Sequence, residues 1–109
     1  MIARHWRGWT KRDLADAYET FLKQKVIPGI SAIEGYHGAY VLRSDGPEES
    51  EFVVINFFDS LEAVRRFAGE NYSVAVFDPE ARKLLSRVET VANHYEVRQS
   101  PAGNQLSLR

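Results

Sequence analysis

Residues 51–58 are almost continuously apolar, running Phe52-Val53-Val54-Ile55-Asn56-Phe57-Phe58. A run this short, full of β-branched and aromatic side chains, predicts a central strand buried on both faces. The residues before it sharpen that reading. Asp45-Gly46-Pro47-Glu48-Glu49-Ser50 is a polar turn, and residues 33–44 alternate with aromatic and β-branched positions, so the two segments form a hairpin. A central strand needs a further neighbour on its free edge, and the rest of the chain has to supply it.

Residues 2–9 predict strand one, with Ile2, Arg4 and Trp6 on one face and Ala3, His5, Arg7 and Trp9 on the other. Thr10 and Asp13 form a capping-box pattern. Leu14, Ala17, Tyr18, Phe21 and Leu22 then recur at helical spacing, so a helix is expected over 11–26, stopped by Pro28-Gly29. In strand two, Gly35, His37, Ala39, Val41 and Arg43 fall on one face, and Tyr36, Gly38, Tyr40 and Leu42 on the other. After the apolar run, Asp59 and Glu62 form a second capping pattern. Leu61, Val64, Phe67 and Ala68 make a helical stripe closed by Gly69. Asp78-Pro79 opens a further helix with Leu84, Leu85 and Val88 on its apolar side. Residues 90–98 alternate again as strand four. The expectation is an α+β ferredoxin-like βαββαβ domain over residues 1–98 with an antiparallel sheet, followed by a flexible tail over 99–109.

Helices cover one face of such a sheet. The other carries apolar and aromatic residues from all four strands, which is unfavourable in a monomer. A homodimer packed sheet to sheet, a dimeric α/β barrel, is the expected cover.

Composition excludes several function classes. The 109 residues carry a net charge of −1, with no basic stripe for a nucleic acid. The chain lacks cysteine, hence disulfides, thiolate nucleophiles and cysteine-based metal centres. Its apolar runs fall far short of a membrane span, and the opening residues are charged where a signal peptide is apolar. A cytoplasmic protein is expected.

Three stretches carry a resemblance. Ile2-Ala3-Arg4-His5-Trp6-Arg7-Gly8, Phe57-Phe58-Asp59-Ser60-Leu61-Glu62-Ala63-Val64-Arg65-Arg66-Phe67-Ala68-Gly69 and His94-Tyr95-Glu96-Val97 resemble the antibiotic-biosynthesis-monooxygenase-like group of the dimeric α/β barrel superfamily, over about residues 1–98. The resemblance implies a ferredoxin-like fold and a range of chemistries: cofactor-independent quinone-forming monooxygenases, haem-degrading oxygenases and isomerases. Haem-degrading relatives use an asparagine on the first strand and a tryptophan and histidine near the second helix. Here the first strand has no asparagine, and residues 61–77 have neither tryptophan nor histidine. Haem chemistry is therefore disfavoured.

The candidate catalytic residues are His94 and Asn56. A histidine with a near-neutral pKa suits a general base, although a strand histidine satisfied by a neighbour or lining the dimer interface is the more frequent role of such a residue. Asn56 is the polar residue of the apolar run. It reads either as an oxyanion partner or as an amide bonded to nearby backbone or to Asn93. Trp6, Tyr36, Phe67 and Tyr72 are the candidate walls of a pocket for a flat ring, drawn from an aromatic set that also suits an ordinary core. His5, His37 and His94 show no ligand spacing, so no metal site is expected. Arg65-Arg66 reads as a solvated helix face. The resulting expectation is a monooxygenase without cofactor, acting on a small aromatic substrate. The alternative is a non-catalytic dimer, either binding a small ligand or associated with stress.

Overall fold

The computed structural model describes residues 1–101, so the tail expected over 99–109 lies largely outside the described residues. Strand β1 (Ile2–Lys11) leads through a 3-10 turn (Arg12–Leu14) into a helix. That helix is built from α1 (Ala15–Phe21), a π segment (Leu22–Val26) and α2 (Ile27–Ile30). Strands β2 (Tyr36–Asp45) and β3 (Glu49–Phe58) form the hairpin. Helices α3 (Leu61–Ala68) and α4 (Pro79–Leu84) follow, and then the short strands β4 (Leu85–Val88) and β5 (Asn93–Glu96). The sheet is antiparallel with order β2-β3-β1-β4, and β5 pairs further along the same edge of β1. This is the ferredoxin-like arrangement, with its last strand broken in two.

The β1–β3 register sets the two faces. Ile2, Arg4, Trp6, Gly8 and Thr10 lie opposite Phe58, Asn56, Val54, Phe52 and Ser50 on the helix-covered face. Two buried clusters sit there. One joins Ala15, Tyr18, Phe21 and Leu22 to Phe52, Val54, Ala81 and Leu85; the other joins Ile30 to Phe58, Ala63 and Val64. In the single chain β3 is buried all along this face. On the other face Phe57 is buried as well, while Glu51, Val53 and Ile55 remain half-buried, so burial on both faces holds within one subunit only at the Phe57 end. The open face also presents Tyr40, Leu42 and Tyr95, at 45%, 49% and 57% exposure.

Several local expectations are corrected. Thr10 is not a cap: β1 continues to Lys11, and Thr10 is fully buried opposite Ser50. Pro28-Gly29 does not stop the first helix, which runs to Ile30. The Ile27 N–H bonds to the Leu22 carbonyl, five residues back. This wider turn precedes a proline that donates no hydrogen bond, and Pro28 then sits in the first turn of α2, where a missing N–H costs little. Ser60 caps α3 by accepting from the Ala63 N–H at 3.2 Å, while Asp59 pairs with His37 instead. Leu85 and Val88 belong to a strand, because the open edge of β1 offers partners to that segment. Strand four is observed at Asn93–Glu96 rather than over 90–98.

Among the described residues, no helix is long and apolar enough to cross a membrane.

Candidate functional site

Between the two core clusters lies a cavity of about 360 Å³. Its floor is the helix-covered face of the sheet, given by Arg4, Trp6, Val54 and Asn56. One wall is the first helix, given by Tyr18, Leu22, Val26, Gly29 and Ile30. Because the helix continues through Pro28, Gly29 and Ile30 reach this wall. Phe67 of α3 and the strap Ala75-Val76-Phe77-Asp78 line the remaining side, and the cavity is partly open to solvent. The strap runs from α3 to α4 without helical structure. It is stitched to the segment before β5 by a Val74–Val91 bridge, an Ala75 N–H to Thr90 carbonyl bond at 2.9 Å, and an Ala92 N–H to Ser73 carbonyl bond at 2.8 Å.

Of the expected site residues, Asn56, Trp6 and Phe67 line the cavity. Trp6 is locked there: its indole N–H donates to the Glu89 carbonyl at 2.7 Å, and its ring meets Phe77 edge-on at 5.5 Å. Tyr36 sits behind Asn56 and donates its hydroxyl to Asn56 Oδ1 at 2.8 Å. Strict alternation would have sent Tyr36 to the other face. A bulge between Tyr36 and Gly38 shifts the register, and Gly38 takes the positive φ of 109° found there. The Asn56 amide is therefore satisfied by Tyr36, not by Asn93, which lies on the exposed face of β5. Burial pushes the Tyr36 hydroxyl up to about 12, so it stays protonated and able to donate to the amide oxygen. With Oδ1 taken, the amide N–H groups are the polar edge left for a ligand.

His94 and Tyr72 stand one layer behind the wall, grouped around Arg4. Arg4 lies directly across from Asn56 in the β1–β3 register and from His94 in the β1–β5 register. Its guanidinium donates to the Tyr72 carbonyl, to the Val74 carbonyl at 3.2 Å and to His94 Nε2 at 2.9 Å. An arginine can only donate, so His94 Nε2 accepts and the imidazole is neutral, with its proton on Nδ1. Desolvation, and secondarily the Arg4 charge, hold the His94 pKa below its ordinary value. Tyr72 packs its ring edge-on to the imidazole at 5.0 Å. The Arg65 guanidinium lies 5.5 Å from the Tyr72 ring, and Arg66 pairs with Glu62 at 3.0 Å on the outside of α3. The three histidines do not converge. His5 lies on the open sheet face, His37 meets Asp59 in the bulge, and His94 stands behind Arg4.

Arg4 is a buried cavity residue that the sequence reading did not single out. It is 3% exposed, its acceptors are neutral, and burial lowers its pKa to about 10. Taking a guanidinium out of water costs several kcal/mol, and neutral carbonyls repay only part of it. A signal was present: Arg4 shares a strand face with Ile2 and Trp6, the face that turns inward.

A ferredoxin-like domain with an aromatic-walled cavity between helices and sheet, and an arginine–asparagine pair on its floor, is the class that fold and site define together. Residues 1–78 match the antibiotic biosynthesis monooxygenase family, and the chain belongs to that family. Among solved structures it is similar to Rv0793 from Mycobacterium tuberculosis, with a TM-score of 0.63 and 19% identity over 92% of this chain and 97% of that one. It is also similar to a Bacillus cereus protein described as a candidate antibiotic biosynthesis monooxygenase, with a TM-score of 0.62 and 20% identity over 96% and 98% of the two chains. At these identities the likeness concerns the fold. No curated protein matches the sequence.

Proposed function

We propose that this protein is a cofactor-independent monooxygenase that oxidises a small aromatic substrate, working as a homodimer joined through its open sheet faces. The observation that carries the proposal is the cavity of about 360 Å³, walled by Phe67 and Phe77 and floored by Trp6 and Asn56. Its size and mixture of aromatic walls with a few polar groups suit a flat ring system. An electron-rich hydroxylated ring, once ionised, can itself give an electron to oxygen. The protein then has to bind, orient and stabilise charge. The reaction balances without an added reductant. The substrate loses two hydrogens, one from the ring carbon and one from the hydroxyl of a naphthol or both from the methylene of an anthrone. One oxygen atom becomes the new quinone oxygen, and the other leaves as water with those two hydrogens. Asn56, held by Tyr36, is positioned to donate to oxygen-borne charge.

The test is oxygen uptake with a panel of hydroxylated anthrones and naphthols, followed together with quinone absorbance. Uptake should match quinone formed, and Asn56→Leu should slow it about 100-fold. Absence of turnover across the whole panel refutes the activity. One observation favours the alternative of a non-catalytic binding protein: His94 Nε2 is already engaged by Arg4, so the imidazole is not free as a base. A co-purified small molecule seen by native mass spectrometry, without oxygen uptake, would establish that alternative.

A further inference from the structure

We infer that the cavity selects an aromatic anion, a ring whose ionised oxygen is received by the Arg4 guanidinium and the Asn56 amide together. The inference rests on the proposed use of the cavity for an aromatic ligand and goes beyond it by having the site select the ligand already ionised and by naming the group that reads its charge.

Four observations converge on this. Arg4 is buried and lines the cavity. No carboxylate among the described residues pairs with it, and its hydrogen-bond acceptors are two carbonyl oxygens and a neutral imidazole. A buried cation compensated only by dipoles leaves a positive potential in the adjoining space, and that potential is strongest where water is excluded. Asn56 lies directly opposite Arg4 in the β1–β3 register, with its oxygen turned away toward Tyr36. The floor thus offers a charge and an amide donor side by side. Phe67 lies 5.4 Å from the guanidinium and also lines the cavity, so a ring can sit against the aromatic wall while its oxygen meets Arg4.

The other charged groups at the cavity do not cancel this field. Lys25 on the first helix pairs with Glu80 at 3.5 Å. Asp78 of the strap is, among the described residues, the one carboxylate lining the cavity; it accepts from the Glu80 N–H at 2.8 Å as the cap of α4 and makes no ion pair with Arg4. His94, behind Arg4, is neutral and adds no negative charge. A substrate that arrives already ionised needs no base on the wall, which fits His94 as a positioning residue for Arg4.

The probe is 4-nitrophenol, whose ionisation is read directly from its visible absorbance, with 4-nitrotoluene as a neutral analogue of the same shape. Binding is measured without oxygen, so no turnover is involved. With the wild-type protein, the bound nitrophenol should titrate below its free midpoint. The phenolate should bind about tenfold or more tightly than nitrotoluene, as expected for a charge-assisted hydrogen bond. Arg4→Gln should abolish both the downward shift and the preference, with far-UV circular dichroism showing the variant folded. The comparison of the two probes on wild-type protein stands even if Arg4→Gln does not fold. Equal binding of both probes, binding of neither, or a bound midpoint at or above the free one overturns the inference. Phenolate binding without oxygen uptake from the anthrone panel would leave the anion site standing and remove the monooxygenase reading.

Discussion

Gly8 and Trp6 show how one residue constrains the site. They lie two apart on the same face of β1, and the Trp6 ring folds across the space a side chain at position 8 would occupy. A Cβ there would come within 2.4 Å of Trp6 Cη2 and 2.9 Å of Cζ2. The indole cannot move freely, since it is bonded to the Glu89 carbonyl and packed on Phe77. Gly8→Ala should therefore destabilise the protein by about 1–3 kcal/mol, the range for overpacking a filled site, read from urea unfolding. Stability equal to wild type would show that the ring has room to retreat. Trp6 was readable as a pocket candidate from its place on a strand flanked by charge. Arg4, two residues earlier, shares that strand face, but the usual exposure of arginines outweighs this signal in a reading from sequence. Its importance comes from His94, Tyr72 and Val74, which are remote in sequence and meet only in the folded chain.

At the scale of elements, the cavity depends on two irregularities. The π segment lets the first helix pass Pro28 and bring Ile30 over the sheet. The bulge in β2 turns Tyr36 toward Asn56. Neither follows from periodicity: a proline predicts a stop, and a period of two has no place for an extra residue. Helix α3, which carries Phe67, is positioned by its cap. Ser60→Ala should cost about 1 kcal/mol, the usual loss for a side-chain N-cap. Asp59→Ala should cost less, because Asp59 meets His37 and not the α3 backbone. Paired urea denaturation of the two variants checks this, and a larger loss for Asp59→Ala would reverse the assignment.

For the whole molecule, the open face of the sheet is the surface on which the homodimer proposal rests. Tyr40, Leu42, Val53, Ile55, Phe57 and Tyr95 share that face, with Tyr40 and Phe57 in edge-on contact at 5.7 Å. Its other end is polar, with Arg7 bridging Glu51 and Glu89 and Arg87 bonded to Glu49. Sedimentation equilibrium should give about twice the chain mass of 12.4 kDa. Ile55→Lys should return the single-chain mass while far-UV circular dichroism is kept. A wild-type protein that sediments as one chain at micromolar concentration refutes the homodimer.

The βαββαβ order, the central position of residues 51–58 and the pairing of a polar turn with two strands are local matters. They follow from hydrophobic period and turn chemistry, which act between neighbours in the chain, and so the sequence alone determined them. It also marked Asn56, because a lone amide in an apolar run needs a partner. Which partner, and what stands beside it, was decided by the tertiary structure. Arg4 faces Asn56 only through the β1–β3 register, and His94 meets Arg4 only because β5 pairs with β1. The strap reaches Arg4 only by crossing back over the sheet. Hydrogen bonds and buried charge depend on distances between segments remote in the chain, and a pattern read along one strand contains none of those distances.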